Sequence, residues 1–465
     1  MLLQLTIENF RSFKGETVFS MVASKDDQHS DHMFSPPLKK YNVLRTAAIY
    51  GANAAGKSNL AKALAFIQNL IINGTRGEGT IPVDPFRIDQ AAASKDSRFE
   101  FTVMTKGVIY EYGIVLNTRR ITEEWLYITK KVKEQPWFSR KTLSNGKVQV
   151  EIFHDLARKR SEKHQLLKFI AEGTRPNQPF LTELGERNID EIKPLLHWFR
   201  NVLTVITPKS RYKALSLQTF TDKTFAEYLK KVMHLADIGI SDIRAIKVEP
   251  NLDELTREMP PAMKEHINAS LAKGEQVVLE EETNGEENRK IFLKPSQNGG
   301  IAGEVYQIKT IHAGPNNSSI EFEFGQESDG TQRLAHLAPA FFDVDANPKV
   351  FFVDELDRSL HPLLTKMLVQ LFLSLHKQGE GSQLIFTTHD TNLLDLELLR
   401  RDEIWFMEKD REQSTRLYSL VEYKPRPDLK LEKNYLQGRF GAIPYISDVS
   451  RLGQEVTSAK GGLDA

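Results

Sequence analysis

The chain has 465 residues, so we expect two to four domains or one large domain that carries an insertion. Hydrophobic residues make up 40% and charged residues 27%, which is typical of a folded globular protein. The chain has 62 basic residues (lysine and arginine) and 62 acidic residues (aspartate and glutamate), so its formal net charge is zero. Any binding to nucleic acid or to an acidic membrane must therefore rely on a local cluster of basic residues. The absence of cysteine excludes disulfides, zinc–thiolate sites, cysteine-held iron–sulfur clusters and cysteine nucleophiles.

The first residues carry neither a basic segment nor a small-residue cleavage site of the kind found in signal peptides. No run of about 18 apolar residues, the length needed to span a bilayer, occurs in the sequence. We therefore expect a soluble, cytoplasmic protein without a membrane partner.

The N-terminal part alternates between strand and helix patterns. Apolar residues alternate over 3–7 and again over 17–21, which predicts a hairpin. An apolar stretch over 44–50 leads into a glycine-rich loop, and 57–72 has helical spacing. Period-two runs over 98–127 predict further strands.

From about residue 155 to 272, apolar residues recur every three to four positions, which predicts a helical insertion. Prolines interrupt this region, so we expect a compact lobe and not a long coiled-coil arm. Residues 280–303 indicate an exposed hairpin or loop. Strand patterns return at 305–311 and 319–324, and alternating helices and strands follow to about Tyr423.

A phosphate-binding loop is the strongest motif in the sequence. Residues 51–58 match G-x4-G-K-[ST] between a strand and a helix, where backbone N–H groups and the helix N-terminus bind phosphates. We expect Lys57 to reach the β and γ oxygens and Ser58 to bind Mg²⁺. A chance glycine-rich turn is the alternative. The predicted nucleotide contacts of this loop are Asn53, Ala54, Ala55, Gly56, Lys57, Ser58 and Asn59.

Two later apolar strands end in side chains suited to phosphate chemistry. The strand over 350–353 precedes Asp354, expected to hold Mg²⁺, and Glu355, expected to act as general base. An ordinary acidic loop is the alternative. The strand over 383–388 ends at His389, which is either a γ-phosphate sensor or a structural histidine.

Ser328 and the backbone of Gly330 stand before an apolar stretch, where they are suited to present donors from a helix start to a phosphate. Taken alone, this segment favours the other interpretation, a plain N-cap with a turn glycine. Two basic clusters, over 158–163 and 209–213, are either solvated helix faces, the commoner case, or contacts for nucleic acid.

Together these residues resemble the ABC-type ATPase superfamily, in the branch of SMC, RecF and OLD-type proteins. Residues 9–13 look like the F-x-x-F hairpin of that branch, and 328–332 stand where the family places its L-S-G-G-Q signature. The sequence is most similar to ATPases known as AAA_15 or RloA/AbiL-like, including the ATPase subunit of PARIS-type anti-phage systems. The further stretches that carry this similarity are Val83–Phe86, Leu356–Pro362, Asp402–Lys409 and Tyr435–Pro444.

The resemblance implies an α/β fold, an ABC-type ATPase head whose P-loop NTPase sheet is formed by both chain ends, with an inserted mainly helical lobe. The expected parts are an N-terminal part of the head (1–150), a helical insertion (151–275) and a C-terminal part of the head (276–465). In such families the signature completes the nucleotide site of the opposite subunit. The residues assigned by resemblance are Ser328, Gly330, Gln332 and Asp357 as nucleotide contacts, His389 as switch histidine and Gln90 as a candidate Q-loop residue.

The implied cofactors are ATP and Mg²⁺, and the implied activity is ATP hydrolysis in a homodimer or higher homo-oligomer. By the same resemblance we expect a sensor or scaffold subunit of an anti-phage complex that controls a separately encoded nuclease, with a phage protein or nucleic acid as trigger. About forty residues follow Tyr423, too few for a nuclease domain of its own. The alternative is a RecF- or SMC-like DNA-repair ATPase that binds DNA directly; a transporter ATPase is disfavoured by the N-terminal hairpin and the helical insertion.

Overall fold

The structure is a computed structural model. It describes residues 1–36, 41–77, 79–130, 133–154, 156–250, 257, 259–273, 277–281, 289–295, 301–342, 344, 347–375, 381–426 and 429–444. The strands are β1 (Leu2–Glu8), β2 (Thr17–Ser20), β3 (Met33–Phe34), β4 (Val43–Leu44), β5 (Thr46–Gly51), β6 (Ser97–Thr105), β7 (Val108–Leu116), β8 (Ile121–Thr129), β9 (Glu134–Thr142), β10 (Val148–Ile152), β11 (Leu203–Ile206), β12 (Ile240–Val248), β13 (Val277–Glu281), β14 (Arg289–Pro295), β15 (Ile301–Ala313), β16 (Ser319–Glu323), β17 (Val350–Val353), β18 (Gln383–Thr387), β19 (Ile404–Lys409) and β20 (Thr415–Ser419). The α-helices are α1 (Lys57–Asn73), α2 (Gln90–Ala93), α3 (Glu162–Gly173), α4 (Phe180–Glu186), α5 (Lys193–His197), α6 (Leu215–Thr221), α7 (Lys223–Leu235), α8 (Pro261–Ala272), α9 (Asp329–Leu337), α10 (Pro362–Ser374) and α11 (Leu431–Leu436).

The chain divides into two compact units. The first contains Met1–Val205, Pro348–Leu356 and Gln378–Ala465, and the second contains Ile206–Asn347 and Asp357–Lys377. This division follows packing, whereas the domain boundaries predicted at residues 150 and 275 follow sequence patterns and stay a prediction.

A six-stranded sheet of the first unit is built from both ends of the chain. Its order is β11-β17-β18-β5-β19-β20, with β17, β18, β5 and β19 parallel to one another and β20 antiparallel to β19. Every residue of β5, β17 and β18 is buried, as expected of parallel strands covered on both faces. The predicted sheet from both chain ends is therefore confirmed.

The side chain of Gln383 fastens this sheet to the N-terminus. Its Oε1 accepts a hydrogen bond from the backbone N–H of Leu2 at 2.6 Å, and its Nε2 donates to the carbonyls of Leu2 at 3.0 Å and Leu44 at 2.9 Å. All three bonds are buried, so the amide is satisfied by backbone groups more than 300 positions away along the chain.

A second sheet of the first unit is antiparallel and has seven strands in the order β10-β9-β8-β7-β6-β1-β2. It contains the predicted N-terminal hairpin, in which Leu5 pairs with Phe19, and the predicted strands over 98–127. Its apolar side chains share one core with the buried face of α1, which includes Leu60, Leu64 and Ile67.

A fully buried ion pair joins this sheet to the start of α4. Arg140 Nη1 lies 3.0 Å from Glu124 Oε2, and both side chains are 0% exposed. The Glu124 carboxylate also accepts hydrogen bonds from the backbone N–H groups of Phe180 at 2.7 Å and Leu181 at 2.9 Å. The carboxylate thus caps the N-terminus of α4, where a negative charge is favoured.

The second unit contains a five-stranded antiparallel sheet in the order β12-β15-β14-β13, with β16 paired to β15. The predicted strands at 305–311 and 319–324 are confirmed as parts of β15 and β16. Within the predicted helical region, helices α3 to α8 are present, but β11 and β12 are strands that the helical pattern did not predict. The predicted hairpin over 280–303 is formed by β13, β14 and the start of β15, while 282–288 and 296–300 lie outside the described residues.

Among the described helices, none combines the length and the apolar character required to cross a lipid bilayer.

Replacing Glu124 with alanine leaves the Arg140 guanidinium buried without its carboxylate, so we expect the free energy of unfolding to fall by roughly 3–5 kcal/mol. The matched control is Glu123→Ala, because the Glu123 side chain is 47% exposed and pairs with Lys141 at 3.2 Å. Loss of an exposed pair costs about 1 kcal/mol or less. Denaturant unfolding of both variants measures the difference, and equal losses would contradict this role of the buried pair.

Candidate functional site

The carboxyl ends of the parallel strands meet at one edge of the six-stranded sheet. In the register of the sheet, Val353 pairs with Phe386, Thr387 with Ile49, and Gly51 with Met407. The segments that follow β5, β17 and β18 therefore leave the sheet side by side. Such an edge is where ligands bind in α/β folds.

The segment after β5 is the predicted phosphate-binding loop, and α1 begins at Lys57 directly after it. Gly56 has φ 115° and Ala54 has φ 63°, so the loop passes twice through the left-handed region. No side chain caps α1, since its N-cap residue is Gly56. A helix N-terminus preceded by a glycine-rich loop is an arrangement that binds anions through backbone N–H groups.

Lys57 is buried, and its ammonium group lies within the loop. Its Nζ donates to the carbonyl oxygen of Gly51 at 2.6 Å and to that of Ala52 at 3.2 Å. Of the other predicted contacts, Asn53 and Ala54 are exposed, Ala55 is buried, and Ser58 and Asn59 are half-buried. A positive charge and exposed backbone are thus present where the sequence predicts the phosphates.

Two residues from distant parts of the chain support the loop from behind. Thr415 Oγ1, on β20, donates to the carbonyl of Ala55 at 2.7 Å and lies 2.9 Å from Ser12 Oγ. Asn59 Nδ2 donates to Ser12 Oγ at 2.8 Å. A Cβ atom on Gly56 would lie only 2.3 Å from Thr415 Oγ1 and 2.9 Å from Ser12 Oγ, so only glycine fits. The sequence patterns did not predict Thr415.

The segment after β17 carries the predicted carboxylates. Asp354 is 3% exposed, and its Oδ1 accepts a hydrogen bond from Thr387 Oγ1 at 2.8 Å. The same Thr387 oxygen accepts from the backbone N–H of Glu355 at 2.7 Å. Glu355 is half-buried with φ 52°, a left-handed conformation that costs about 1–3 kcal/mol for a non-glycine residue. Thr387 therefore fixes both acidic residues, a role that the sequence analysis missed.

His389 follows β18 at the same edge and is exposed. The preceding Thr388 is buried, and its backbone N–H donates to the carbonyl of Ile49 at 3.1 Å. Its Oγ1 accepts from the backbone N–H of Asp390 at 2.9 Å. The turn that carries the imidazole is thus tied to the strand that leads into the phosphate loop.

The predicted signature segment lies in the second unit. Ser328 is the N-cap of α9, and its Oγ accepts from the backbone N–H of Thr331 at 3.2 Å. Ser328 is exposed and Gly330 is half-buried, while Gln332 Nε2 donates to the carbonyl of Glu327 at 2.9 Å. The plain N-cap that the sequence allowed is present, and it leaves the serine at the surface.

The segment that begins at Asp357 belongs to the same unit and approaches this helix start. A Cβ atom on Gly330 would lie 2.5 Å from the carbonyl oxygen of Ser359. Asp357 is half-buried, and Arg358 and Ser359 are exposed. The second unit therefore places Gly330, which lies in the predicted signature, against the segment that begins at Asp357.

One residue of that helix is held uncharged. Burial, followed by the nearby guanidinium groups of Arg211 and Arg333, lowers the pKa of His336 to about 4. Its Nδ1 accepts a hydrogen bond from the backbone N–H of Tyr212 at 3.2 Å, so the neutral imidazole is the form that fits.

Residues 9–13 and Val83–Phe86, the two N-terminal segments that carry the family resemblance, contact each other. Asn9 has φ 51°, its Oδ1 accepts from the backbone N–H of Phe86 at 3.2 Å, and its Nδ2 donates to the carbonyl of Ala92 at 2.8 Å. Gln90 is exposed at the start of α2, whose N-cap is Asp89. The candidate Q-loop residue is thus accessible, and its function stays a prediction.

The C-terminal segment packs behind β19. Burial raises the pKa of Tyr435 to about 12, and burial followed by the charge of Glu408 raises the pKa of Tyr418 above its ordinary value. Both phenols therefore stay protonated, and they donate to the carbonyls of Ala442 at 2.9 Å and Phe440 at 2.7 Å respectively. The bond from Tyr418, on β20, attaches the segment at 435–444 to the sheet, and the bond from Tyr435 lies within that segment.

A basic groove of about 780 Å³ lies on the first unit, between β9, β10 and α3. Lys159 and Arg160 of the predicted basic cluster over 158–163 line this groove, whereas Lys163 of the same cluster pairs with Glu191. The other predicted cluster, over 209–213, is exposed in the second unit. The charged or titratable side chains that line the groove are Lys141, Glu151, Lys159, Arg160, His164 and Lys168.

No curated protein matches the chain. Among solved structures, it is similar to an SMC head bound to the C-winged helix domain of ScpA, with 14% identity and a TM-score of 0.40, covering 91% of this chain and 99% of that one. It is also similar to the SMC head domain from Thermotoga maritima, with 12% identity and a TM-score of 0.38, covering 90% and 98% respectively.

A phosphate loop between a parallel strand and a helix, with acidic residues at the same sheet edge, defines an α/β fold of the P-loop NTPase class. Residues 47–395, more than half of the chain, match the model of the family described as "AAA domain, putative AbiEii toxin, Type IV TA system". The chain belongs to this family of ATPase domains.

Gly56→Ala tests the support behind the loop. The added Cβ meets Thr415 and the backbone has φ 115°, so we expect a loss of about 1–3 kcal/mol of stability and at least ~10-fold weaker nucleotide binding. Gly15→Ala is the control, because a Cβ there has no heavy atom within 4 Å. Thermal unfolding and titration with a fluorescent ATP analogue measure both effects; unchanged binding in Gly56→Ala would refute the close approach.

Proposed function

We propose that the chain binds ATP together with Mg²⁺ and hydrolyses it. The observation that carries this proposal is the meeting, at one sheet edge of the first unit, of the 51–58 loop, Asp354, Glu355 and His389. The family of ATPase domains to which the chain belongs supports it.

The phosphates bind to the backbone N–H groups of the loop and to the N-terminus of α1. Lys57 moves its ammonium group from the carbonyls of Gly51 and Ala52 to the β and γ oxygens. The Ser58 hydroxyl and the Asp354 carboxylate offer the oxygen donors that Mg²⁺ prefers. When bound, this ion neutralises charge on the β and γ phosphates.

Glu355 accepts a proton from the attacking water as the general base. Thr387 is a positioning residue, because its hydroxyl holds the backbone of Glu355 and the carboxylate of Asp354 at once. His389, exposed at the end of the neighbouring strand, contacts the γ-phosphate and reports its presence.

We further propose that two chains enclose two nucleotides. Ser328 is exposed at the N-terminus of α9, so its hydroxyl and the N–H groups there are accessible to a phosphate held by a second copy. Gly330, Gln332 and Asp357 lie in the same part of the second unit, and the close approach of Gly330 to Ser359 supports one shared contact surface. Hydrolysis removes the γ-phosphate and loosens the dimer.

At the level of the cell, we propose a sensor subunit of a defence complex that controls a separate nuclease. This rests on the resemblance to AAA_15 and PARIS-type ATPases and on the family description, which names a toxin of type IV toxin–antitoxin systems. The second candidate function is direct DNA binding, as in RecF-like repair ATPases. The groove lined by Lys159, Arg160 and Lys168 favours it, because three cations in a concave surface fit a phosphate backbone.

Lys57→Ala and Glu355→Gln test the ATPase assignment. We expect Lys57→Ala to lower turnover roughly 100-fold or more by loss of phosphate stabilisation. We expect Glu355→Gln to lower turnover on the order of 100-fold or more while bound ATP is retained, since only the base is lost. Steady-state hydrolysis and filter binding of labelled ATP measure these effects.

The controls are Lys62→Ala on the exposed side of α1 and Glu397→Gln at an exposed position of the same unit, both expected to have wild-type turnover. Hydrolysis at the wild-type rate in both Lys57→Ala and Glu355→Gln would refute the proposed roles.

Ser328→Arg tests the nucleotide sandwich. The larger cationic side chain blocks the helix start, so we expect the monomer to persist with ATP in the Glu355→Gln background, where the parent forms dimers. Light scattering after size exclusion gives the mass. Ser374→Arg, at an exposed position of the same unit, is the control and should still dimerise. ATP-dependent dimers of Ser328→Arg would contradict the proposed surface.

One pair of measurements separates the two cellular functions. Co-purification with the product of a neighbouring nuclease gene supports the defence complex, whereas DNA-stimulated turnover of the chain alone supports the repair ATPase. In the second case, Lys159→Glu combined with Lys168→Glu should abolish the stimulation and leave basal turnover intact, because reversing two charges removes two phosphate contacts.

A further inference from the structure

Three potential metal ligands lie together outside the proposed ATPase site. They are His29, Asp31 and His32, at a short 3-10 turn over Ser30–His32 in the first unit. One ligand atom from each of these residues lies within 4.8 Å of the others. The two imidazole rings are stacked with their centroids 4.8 Å apart.

One ring nitrogen of each histidine has a hydrogen-bond partner of the kind that is common at metal-binding histidines. His29 Nε2 lies 2.8 Å from the carbonyl oxygen of Leu396, which only accepts, so Nε2 carries the proton and Nδ1 offers its lone pair. His32 Nδ1 lies 3.0 Å from the buried Glu403 Oε2, which leaves Nε2 as the ligand atom. Histidines that bind metals donate their other N–H to a carbonyl or a carboxylate in this way.

The backbone at this turn is held in a costly conformation. His29 has φ 46° and ψ 58°, in the left-handed region, which costs about 1–3 kcal/mol for a non-glycine residue. The turn is nevertheless fixed at both ends, since the backbone N–H of His32 donates to the carbonyl of His29 at 3.0 Å and the N–H of Arg45 donates to that of His32 at 2.9 Å. Strain of this kind accumulates where side chains are oriented for binding.

We propose that His29, Asp31 and His32 bind one divalent transition-metal ion, with Zn²⁺ the best fit. Two imidazole nitrogens and one carboxylate oxygen are donors that Zn²⁺ accepts, whereas Mg²⁺ and Ca²⁺ prefer oxygen alone. Three protein ligands leave one tetrahedral position for water. Asp31 is exposed, so an ion enters from solvent.

The site is separate from the phosphate loop. The backbone N–H of Arg45, which precedes β5, donates to the carbonyl of His32, and Glu403 precedes the parallel strand β19. The turn thus lies at the amino end of β5, whereas the phosphate loop follows the carboxyl end of β5. Six residues of extended strand span roughly 20 Å. The ion therefore binds within the 29–32 turn, which hydrogen bonds from His29 and His32 attach to Leu396 and Glu403, and it takes no part in hydrolysis.

Zn²⁺ binding by the untagged, metal-stripped full chain tests this proposal. We expect one equivalent to bind in competition with a chromophoric chelator and to raise the melting temperature. His29→Ala and Asp31→Asn should each bind at least ~10-fold more weakly and lose the rise in melting temperature. Neither side chain is buried, so both variants are expected to fold.

His154→Ala, at an exposed histidine of the same unit, is the control and should bind like the parent. Absence of stoichiometric Zn²⁺ binding by the parent, or parent-like affinity in His29→Ala, would overturn the proposal. The proposal is tested separately from the ATPase assignment: Lys57→Ala, which is expected to lose ATP turnover, should still bind Zn²⁺ like the parent.

Discussion

The parallel pairing of β5 with β18 on one side and β19 on the other determines where the phosphate loop lies. Both neighbours come from the C-terminal part of the chain, and both run in the same direction as β5. Parallel strands bring their carboxyl ends to one edge, so the loop after β5 and the residues after β18 must emerge together. With β17 next in the sheet, the two acidic residues reach the same edge.

The loop itself depends on groups that contact no ligand. Thr415 and Ser12 fill the space behind Gly56, and Asn59 ties the first turn of α1 to the same hydroxyl. Each such hydrogen bond contributes about 0.5–1.5 kcal/mol. Thr387 likewise holds Asp354 and Glu355, which follow β17 on the side of β18 away from β5. The reacting groups are thus fixed by hydroxyl side chains that come from three different parts of the chain.

The phosphate loop, its strand and its helix follow from local spacing, and so do β17, β18 and the N-terminal hairpin. Thr387 and Thr415 could not be found in this way, because threonine in a buried strand has no pattern of its own and their partners lie 33 and 360 positions away. β12 was missed since its burial does not alternate regularly along the strand. The boundary between the two units, after Val205, falls inside the predicted helical insertion. The reason is that β11 pairs with β17, from the C-terminal part of the chain, in the sheet of the first unit.

The buried amide of Gln383 bridges Leu2 and Leu44, the latter 339 positions earlier in the chain. During translation at ~5–20 residues per second, β5 therefore waits on the order of tens of seconds before its partners leave the ribosome. For that interval both edges of this apolar strand are unpaired, and unpaired strand edges can pair with other chains and lead to aggregation. Early folding of the N-terminal antiparallel sheet, or binding of a chaperone, would protect β5 from such pairing during this period.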